Sequence, residues 1–209
     1  MDTGFLIAAF VTLFVVIDPI GLAPIFVALT QGAAPRLRRA IALRACVISV
    51  LLLAAFGLFG EEILGFIGIS MPAFQIAGGI LLFLTALDML FERRTRRREG
   101  SAGSAEDPSA DPSVFPLAMP LIAGPGAMAS MILLTGQAQG DWLGIAAVHL
   151  VMVVVVALVF VMFLAAGLIE RALGRIGTVV VTRLLGLLLA ALSVQFVLDG
   201  ARTLGLLGS

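Results

Sequence analysis

The chain has 209 residues, 61% of them hydrophobic and only 12% charged, and its thirteen basic and thirteen acidic residues cancel to a net charge of zero. Soluble domains are about half apolar and a quarter charged, so this composition excludes a soluble globular domain and defines an integral membrane protein. One cysteine, Cys46, excludes an intramolecular disulfide and a cysteine-based metal site.

The amino terminus, Met1-Asp2-Thr3-Gly4, has no basic residue before the first apolar run, so that run is expected to be a retained helix rather than a cleaved signal. The run, near residues 4 to 30, holds Asp18-Pro19-Ile20-Gly21-Leu22-Ala23-Pro24 at its middle. Proline has no N–H to donate and its ring clashes with the carbonyl four residues back. Pro19 and Pro24 are therefore expected to break the helix and to free the carbonyls of Val15 and Ile20.

A second run near 40 to 60 and a third near 71 to 91 complete the first half. A span needs roughly 20 apolar residues to cross the hydrocarbon. Next comes Glu92-Arg93-Arg94-Thr95-Arg96-Arg97-Arg98-Glu99 and a stretch of Gly, Ser, Ala, Asp and Pro through Ser113, read as a flexible linker. Spans four, five and six are expected near 114 to 135, 143 to 169 and 179 to 200. None alternates as a barrel strand does, so the fold class is all-α, a polytopic bundle of six transmembrane helices.

The fourth span holds Met119-Pro120-Leu121-Ile122-Ala123-Gly124-Pro125-Gly126, which superposes on the first motif at an offset of 101 residues. In helical flanks Pro120 and Pro125 act on the carbonyls of Pro116 and Leu121. Two further stretches repeat in the same order. Glu61-Glu62-Ile63-Leu64-Gly65-Phe66-Ile67-Gly68 matches Glu170-Arg171-Ala172-Leu173-Gly174-Arg175-Ile176-Gly177, and Gly79-Ile80-Leu81-Leu82 matches Gly186-Leu187-Leu188-Leu189. The chain thus divides into a three-helix repeat at 1–91, a linker at 92–113 and a second repeat at 114–209. Because three is odd, the second repeat enters the membrane from the opposite side. A 3+3 inverted repeat with broken first and fourth helices is the arrangement of many secondary transporters.

All thirteen basic residues are arginine. Twelve fall around the loops after spans one, three and five, and only Arg202 lies on the other side. By the positive-inside rule those loops are cytoplasmic and both termini face outward. The five arginines of 93–98 suit anionic lipid, but topology already accounts for them. Glu61, Glu62, Asp141 and Trp142 fall at the outer face.

The breaks are the candidate site: Asp18, Pro19, Gly21 and Pro24 from one half, and Pro120, Gly124, Pro125 and Gly126 from the other. Freed carbonyls suit an ammonium or a cation. The N–H groups where each helix restarts, beyond Gly21 and at Gly124-Pro125-Gly126, suit a carboxylate. Three roles are open to Asp18: binding an ammonium, carrying a coupling proton, or capping the second half-helix. Gln75 and Gln195 are read as bonds between helices, and Gly78-Gly79, Gly186, Gly65 and Gly174 as packing positions. Asp88 is read as part of an interfacial ion pair, and His149 as an interfacial or packed residue. No metal site or cofactor is expected.

Asp18-Pro19-Ile20-Gly21 with Pro24-Ile25-Phe26, and Pro116 through Gly126, resemble the two signature segments of the MarC family of bacterial and archaeal membrane proteins. Gln75 through Leu82, and Gly186-Leu187-Leu188-Leu189 with Gln195 and Asp199-Gly200, are similar to its third- and last-span patterns. The resemblance implies six helices in the cytoplasmic membrane and, for SnatA-type members, transport of small neutral amino acids such as glycine and alanine.

The expected function is therefore secondary transport of small neutral amino acids by alternating access, coupled to a proton or a monovalent cation. The alternative is a passive channel or a structural membrane protein without transport activity. The expected partners are the amino acid, the coupling ion and membrane lipid, with no nucleic acid. No enzyme is expected. Asp18 and Asp88 lie at different depths for an aspartyl protease, and Ser130 has no Gly-x-Ser-x-Gly turn to serve with His149.

Overall fold

The computed structural model describes residues 3–91, 111–138 and 141–206, and the described residues form eight helical segments with no strand. The segments are α1 (Thr3–Ile17), α2 (Pro19–Leu29), α3 (Pro35–Ile67), α4 (Met71–Leu90), α5 (Ser113–Ile122), α6 (Pro125–Gln137), α7 (Trp142–Leu164) and α8 (Ala166–Thr203). The arginine run at 93–98 and most of the expected linker lie outside the described residues.

Five spans are long and apolar enough to cross a membrane: Thr3–Leu29, Pro35–Ile67, Met71–Leu90, Trp142–Leu164 and Ile176–Thr203. The pair α5 and α6, bent by 55°, makes a sixth when taken as one span. The protein is a polytopic helical membrane protein. Exposed side chains such as Leu51, Leu150 and Leu187 would be unfavourable in water but suit a lipid-facing surface.

Local chemistry places the ends of these helices. Proline stands at or next to the first position of α2, α3, α4 and α6, where its missing N–H costs nothing. The Ser70 hydroxyl accepts from the Ala73 N–H at 3.4 Å, and an Asp141 oxygen accepts from the Leu143 N–H at 3.1 Å. Gly68 ends α3 with φ +84°, and the Ile69 N–H reaches back to the Leu64 carbonyl at 2.9 Å. At 33 residues and 1.5 Å per residue, α3 is about 50 Å long against a hydrocarbon core of about 30 Å. Its overhangs carry Arg36, Arg38 and Arg39 at one end and Glu61 and Glu62 at the other.

Tight glycine contacts bring α4 and α8 together in antiparallel register. A β-carbon on Gly79 would lie 2.8 Å from the Ser193 carbonyl oxygen, one on Gly186 2.9 Å from the Met89 β-carbon, and one on Gly200 2.9 Å from the Pro72 carbonyl oxygen. Elsewhere α3 packs on α5, α6 and α7, while α1 and α2 pack on α7 and α8, and α6 touches both α1 and α4. The buried core runs through Leu13, Ile17, Leu22, Leu82, Ile122, Met131 and Val155.

Several expectations change. Gly65 and Gly174 are not packing positions, because nothing lies within 4 Å of a β-carbon on either. Gly174 instead takes φ +58° and kinks α8 between the stretch after Ala166 and the last span. Gln195 is exposed and bonds within its own helix, donating to an Asp199 carboxylate oxygen at 2.7 Å. His149 is a packed residue, with Nδ1 2.7 Å from the Ile145 carbonyl oxygen and Nε2 3.4 Å from that of Ala54 on α3.

Candidate functional site

The first break is a single residue. Asp18 takes φ 59° and ψ 66°, a left-handed conformation that aspartate tolerates better than most residues. Its N–H closes α1 by donating to the Phe14 carbonyl at 2.9 Å, and its carbonyl accepts from the Leu22 N–H at 3.0 Å. Its side chain turns back onto α2, where Oδ1 accepts from the Gly21 N–H at 3.0 Å. With only 1% of its surface exposed, the carboxylate is held by this bond and by the positive end of the α2 dipole.

Two expectations about this break are corrected. The helix restarts at Pro19 rather than beyond Gly21, so the Gly21 N–H is occupied by Asp18 instead of standing open. Pro24 lies inside α2 and does not end it. Near the start of a helix a proline removes one ladder bond without losing the turn that Pro19 and the Asp18 cap have already set.

The second break is longer and differently built. Phe115 (φ −125°, ψ 126°) and Met119 (φ −126°, ψ 125°) are extended, each directly before a proline. A proline ring disfavours the α conformation in the residue that precedes it, and at Phe115 and Met119 that preference prevails, so the spacing of Pro116 and Pro120 repeats the interruption. Both peptide bonds, Phe115–Pro116 and Met119–Pro120, are cis. Bonds between residues five apart join the remaining turns, as from the Ala123 N–H to the Ala118 carbonyl at 2.8 Å. The carbonyls of Pro116 and Leu121 are therefore not freed from a regular α-helix, as the proline spacing alone implies. The chain becomes regularly helical again at Pro125.

Gly124 precedes α6 with φ −82° and ψ 168°, and no side chain caps this helix. A β-carbon on Gly124 would lie 2.6 Å from the Pro120 carbonyl oxygen, so only glycine fits. The uncapped amino terminus of α6 leaves backbone donors and a positive dipole end at the break.

The fold brings the two breaks together through Gly126. A β-carbon there would sit 3.3 Å from Val16, two residues before Asp18, and 3.5 Å and 3.7 Å from Leu82 and Thr85 of α4. The Gly126 carbonyl accepts from the Ser130 hydroxyl at 2.8 Å. Of the remaining candidates Pro19 is buried, Gly21 and Pro24 are half-buried, and Pro120 and Pro125 are exposed. Thr85 was not singled out from the sequence. Its signal is a lone hydroxyl in an apolar run, and that hydroxyl, donating to the Leu81 carbonyl at 2.9 Å, is thereby tolerated there.

Among the described residues no three histidine, cysteine, aspartate or glutamate side chains converge as a metal site would require. The arrangement offers a buried carboxylate at one break and backbone N–H donors at the other.

Residues 3–204 match the profile described as MarC family integral membrane protein. The chain is 36% identical over 207 residues to a UPF0056 membrane protein of Methanocaldococcus jannaschii, covering 97% of this chain and 98% of the relative. It is 41% identical over 198 residues to a UPF0056 membrane protein of Archaeoglobus fulgidus, covering 94% and 92%. Against the UPF0056 inner membrane protein YhgN of Escherichia coli it is 36% identical over 199 residues, covering 94% and 96%. No solved structure matches the chain.

Proposed function

The chain belongs to the MarC family of integral membrane proteins, and within it we propose a secondary transporter of small neutral amino acids, coupled to a proton or monovalent cation. One observation carries this reading: the two helix breaks adjoin through the contact of Gly126 with Val16, one presenting a buried carboxylate and the other an uncapped helix amino terminus. Asp18 takes the ammonium of a zwitterion or the coupling cation, and the α6 terminus takes the carboxylate. Gly124 and Gly126 carry no side chain at the α6 terminus, and that suits a substrate the size of glycine or alanine.

Alternating access needs two halves that can exchange roles, and the packing of α4 on α8 supports that symmetry. A shift of 107 residues carries Gly79 onto Gly186, Ala86 onto Ser193 and Leu90 onto Val197. Gly79 faces Ser193 and Val197, while Gly186 faces Ala86 and Leu90. The contacts are reciprocal, as an inverted repeat requires. In this reading the protein lies in the cytoplasmic membrane, with the ends bearing Arg38 and Arg171 inside and both termini outside.

The test is counterflow. Proteoliposomes preloaded with unlabelled alanine are expected to accumulate labelled alanine transiently. Alanine flux without counterflow would instead favour a channel, and no flux of any small solute would leave the structural reading.

A further inference from the structure

A concavity of about 360 Å³ opens where the carboxyl-terminal ends of α2 and α7 meet the amino-terminal ends of α3 and α8. Three guanidinium groups line it, those of Arg38 and Arg39 from the start of α3 and that of Arg171 from α8. No acidic side chain is among its lining residues, and none of the three arginines forms an ion pair among the described residues. The Phe26 and Phe163 rings, both 1% exposed, stack at 4.3 Å between centroids and 5° between planes. Arg38 lies over the Phe26 ring, its guanidinium carbon 5.7 Å from the centroid. That contact holds the planar head against a rigid surface instead of leaving it to wander in solvent.

The helix ends do not cancel this charge. The carboxyl-terminal ends of α2 and α7 contribute roughly half a negative charge each. The amino-terminal ends of α3 and α8, neither capped by a side chain, offset them with similar positive ends. Among the described residues, three full positive charges remain unanswered around a space that would hold a small anion. Arginine forks match the oxygens of a phosphate in pairs, and several forks around one concavity favour a phosphate over a single carboxylate.

We propose that this pocket binds a phosphate group, presented either by the headgroup of an anionic phospholipid or by a soluble phosphate ester. The site is separate from the helix breaks and does not depend on transport. Its position at the ends of four helices, all in an apolar bundle, puts it where a headgroup lies as well as where a solute can enter.

The experiment uses the full-length protein, delipidated in a neutral detergent. Native mass spectrometry measures retention of phosphatidylglycerol and of phosphatidylcholine, and thermal unfolding is followed with sn-glycerol 3-phosphate. At least a tenfold preference for phosphatidylglycerol, undisturbed by glycerol phosphate, identifies lipid as the source. A rise in melting temperature with glycerol phosphate, and displacement of the lipid by it, identifies the soluble ester. Either result should fall at least tenfold in Arg38→Gln/Arg39→Gln/Arg171→Gln and persist in Arg202→Gln, at the far end of α8. Arg171→Gln alone, at an exposed side chain, should lower it several-fold if the triple variant does not fold. The proposal is overturned if wild-type protein retains both lipids equally and ignores glycerol phosphate. It is overturned equally if the arginine variants bind as wild type does.

Discussion

Asp18 folds its carboxylate over Gly21 so closely that a β-carbon on Gly21 would lie 2.1 Å from Oδ2. The glycine hydrogen makes room for the charge, and the Gly21 N–H bonds Oδ1 at 3.0 Å. The acid therefore has two duties that different substitutions can separate. It caps a helix with an oxygen that asparagine also supplies, and it holds a charge that asparagine does not.

Asp18→Asn is expected to leave stability within about 0.5 kcal/mol of wild type, because asparagine caps comparably and accepts the left-handed backbone. Asp18→Ala should lose about 1 kcal/mol for the cap and roughly 1–2 kcal/mol for the backbone strain. Both should abolish or uncouple gradient-driven uptake, and Gly21→Ala should impair it by displacing the carboxylate. Thermal unfolding and uptake measured on the same preparations check this. Full gradient-dependent uptake by Asp18→Asn would remove the coupling role.

The two glycines of the second break should respond differently. Gly124→Ala forces a β-carbon against the Pro120 carbonyl oxygen at 2.6 Å, a backbone atom that cannot turn aside. The expected cost is about 1–3 kcal/mol, as for other overpacked sites. Gly126→Ala meets Val16 at 3.3 Å, a contact a small side-chain shift relieves, so the fold should survive. Its effect should appear as weaker substrate binding, read from the half-saturating concentration in counterflow.

Gly79 and Gly186 make reciprocal contacts across α4 and α8, so their alanine variants should destabilise the protein by similar amounts, about 1–3 kcal/mol each. Detergent-denaturation midpoints compare the two. A large loss at one site and none at the other would contradict the reciprocal register.

Arg44 and Asp111 form an ion pair at the approach to α5. Slight burial raises the Asp111 carboxyl, but the Ser113 N–H bonded to it and the Arg44 charge outweigh it and hold the group below its ordinary value. Because the folded value is depressed, the stabilisation is present above the unfolded value and is lost as pH falls through the folded one. Asp111→Asn should therefore lower the melting temperature slightly near neutral pH, as for an exposed pair of about 0–1 kcal/mol. The difference from wild type should vanish on acidification below the carboxylate range. A difference that grows with acid would reverse the assignment.

Much of the architecture was legible because lipid permits few solutions. Apolar runs of sufficient length are helices wherever backbone groups have no water to bond. The span at 71 to 91, for example, emerges as Met71–Leu90. The proline motifs marked both breaks for the same reason. Their internal anatomy was less legible, since two similar proline pairs fold differently: Pro19 starts a helix that Pro24 does not stop, whereas Pro116 and Pro120 unwind what Pro125 restarts. The difference lies in the neighbours, an aspartate able to cap in the first motif and none in the second. Gly174 shows the complementary failure, since a glycine's identity does not say whether it serves close packing or a positive φ.

From residue order alone followed a membrane-embedded helical bundle, two interrupted spans and a charge at one of them, because each depends on local composition or on the covalent limits of proline. Only the tertiary structure decided that Gly126 meets Val16, that Thr85 joins them, and that Arg38, Arg39 and Arg171 surround one concavity. Those contacts join residues as far apart as Val16 and Gly126 through helix packing, and apolar surfaces facing lipid or protein look alike in the sequence.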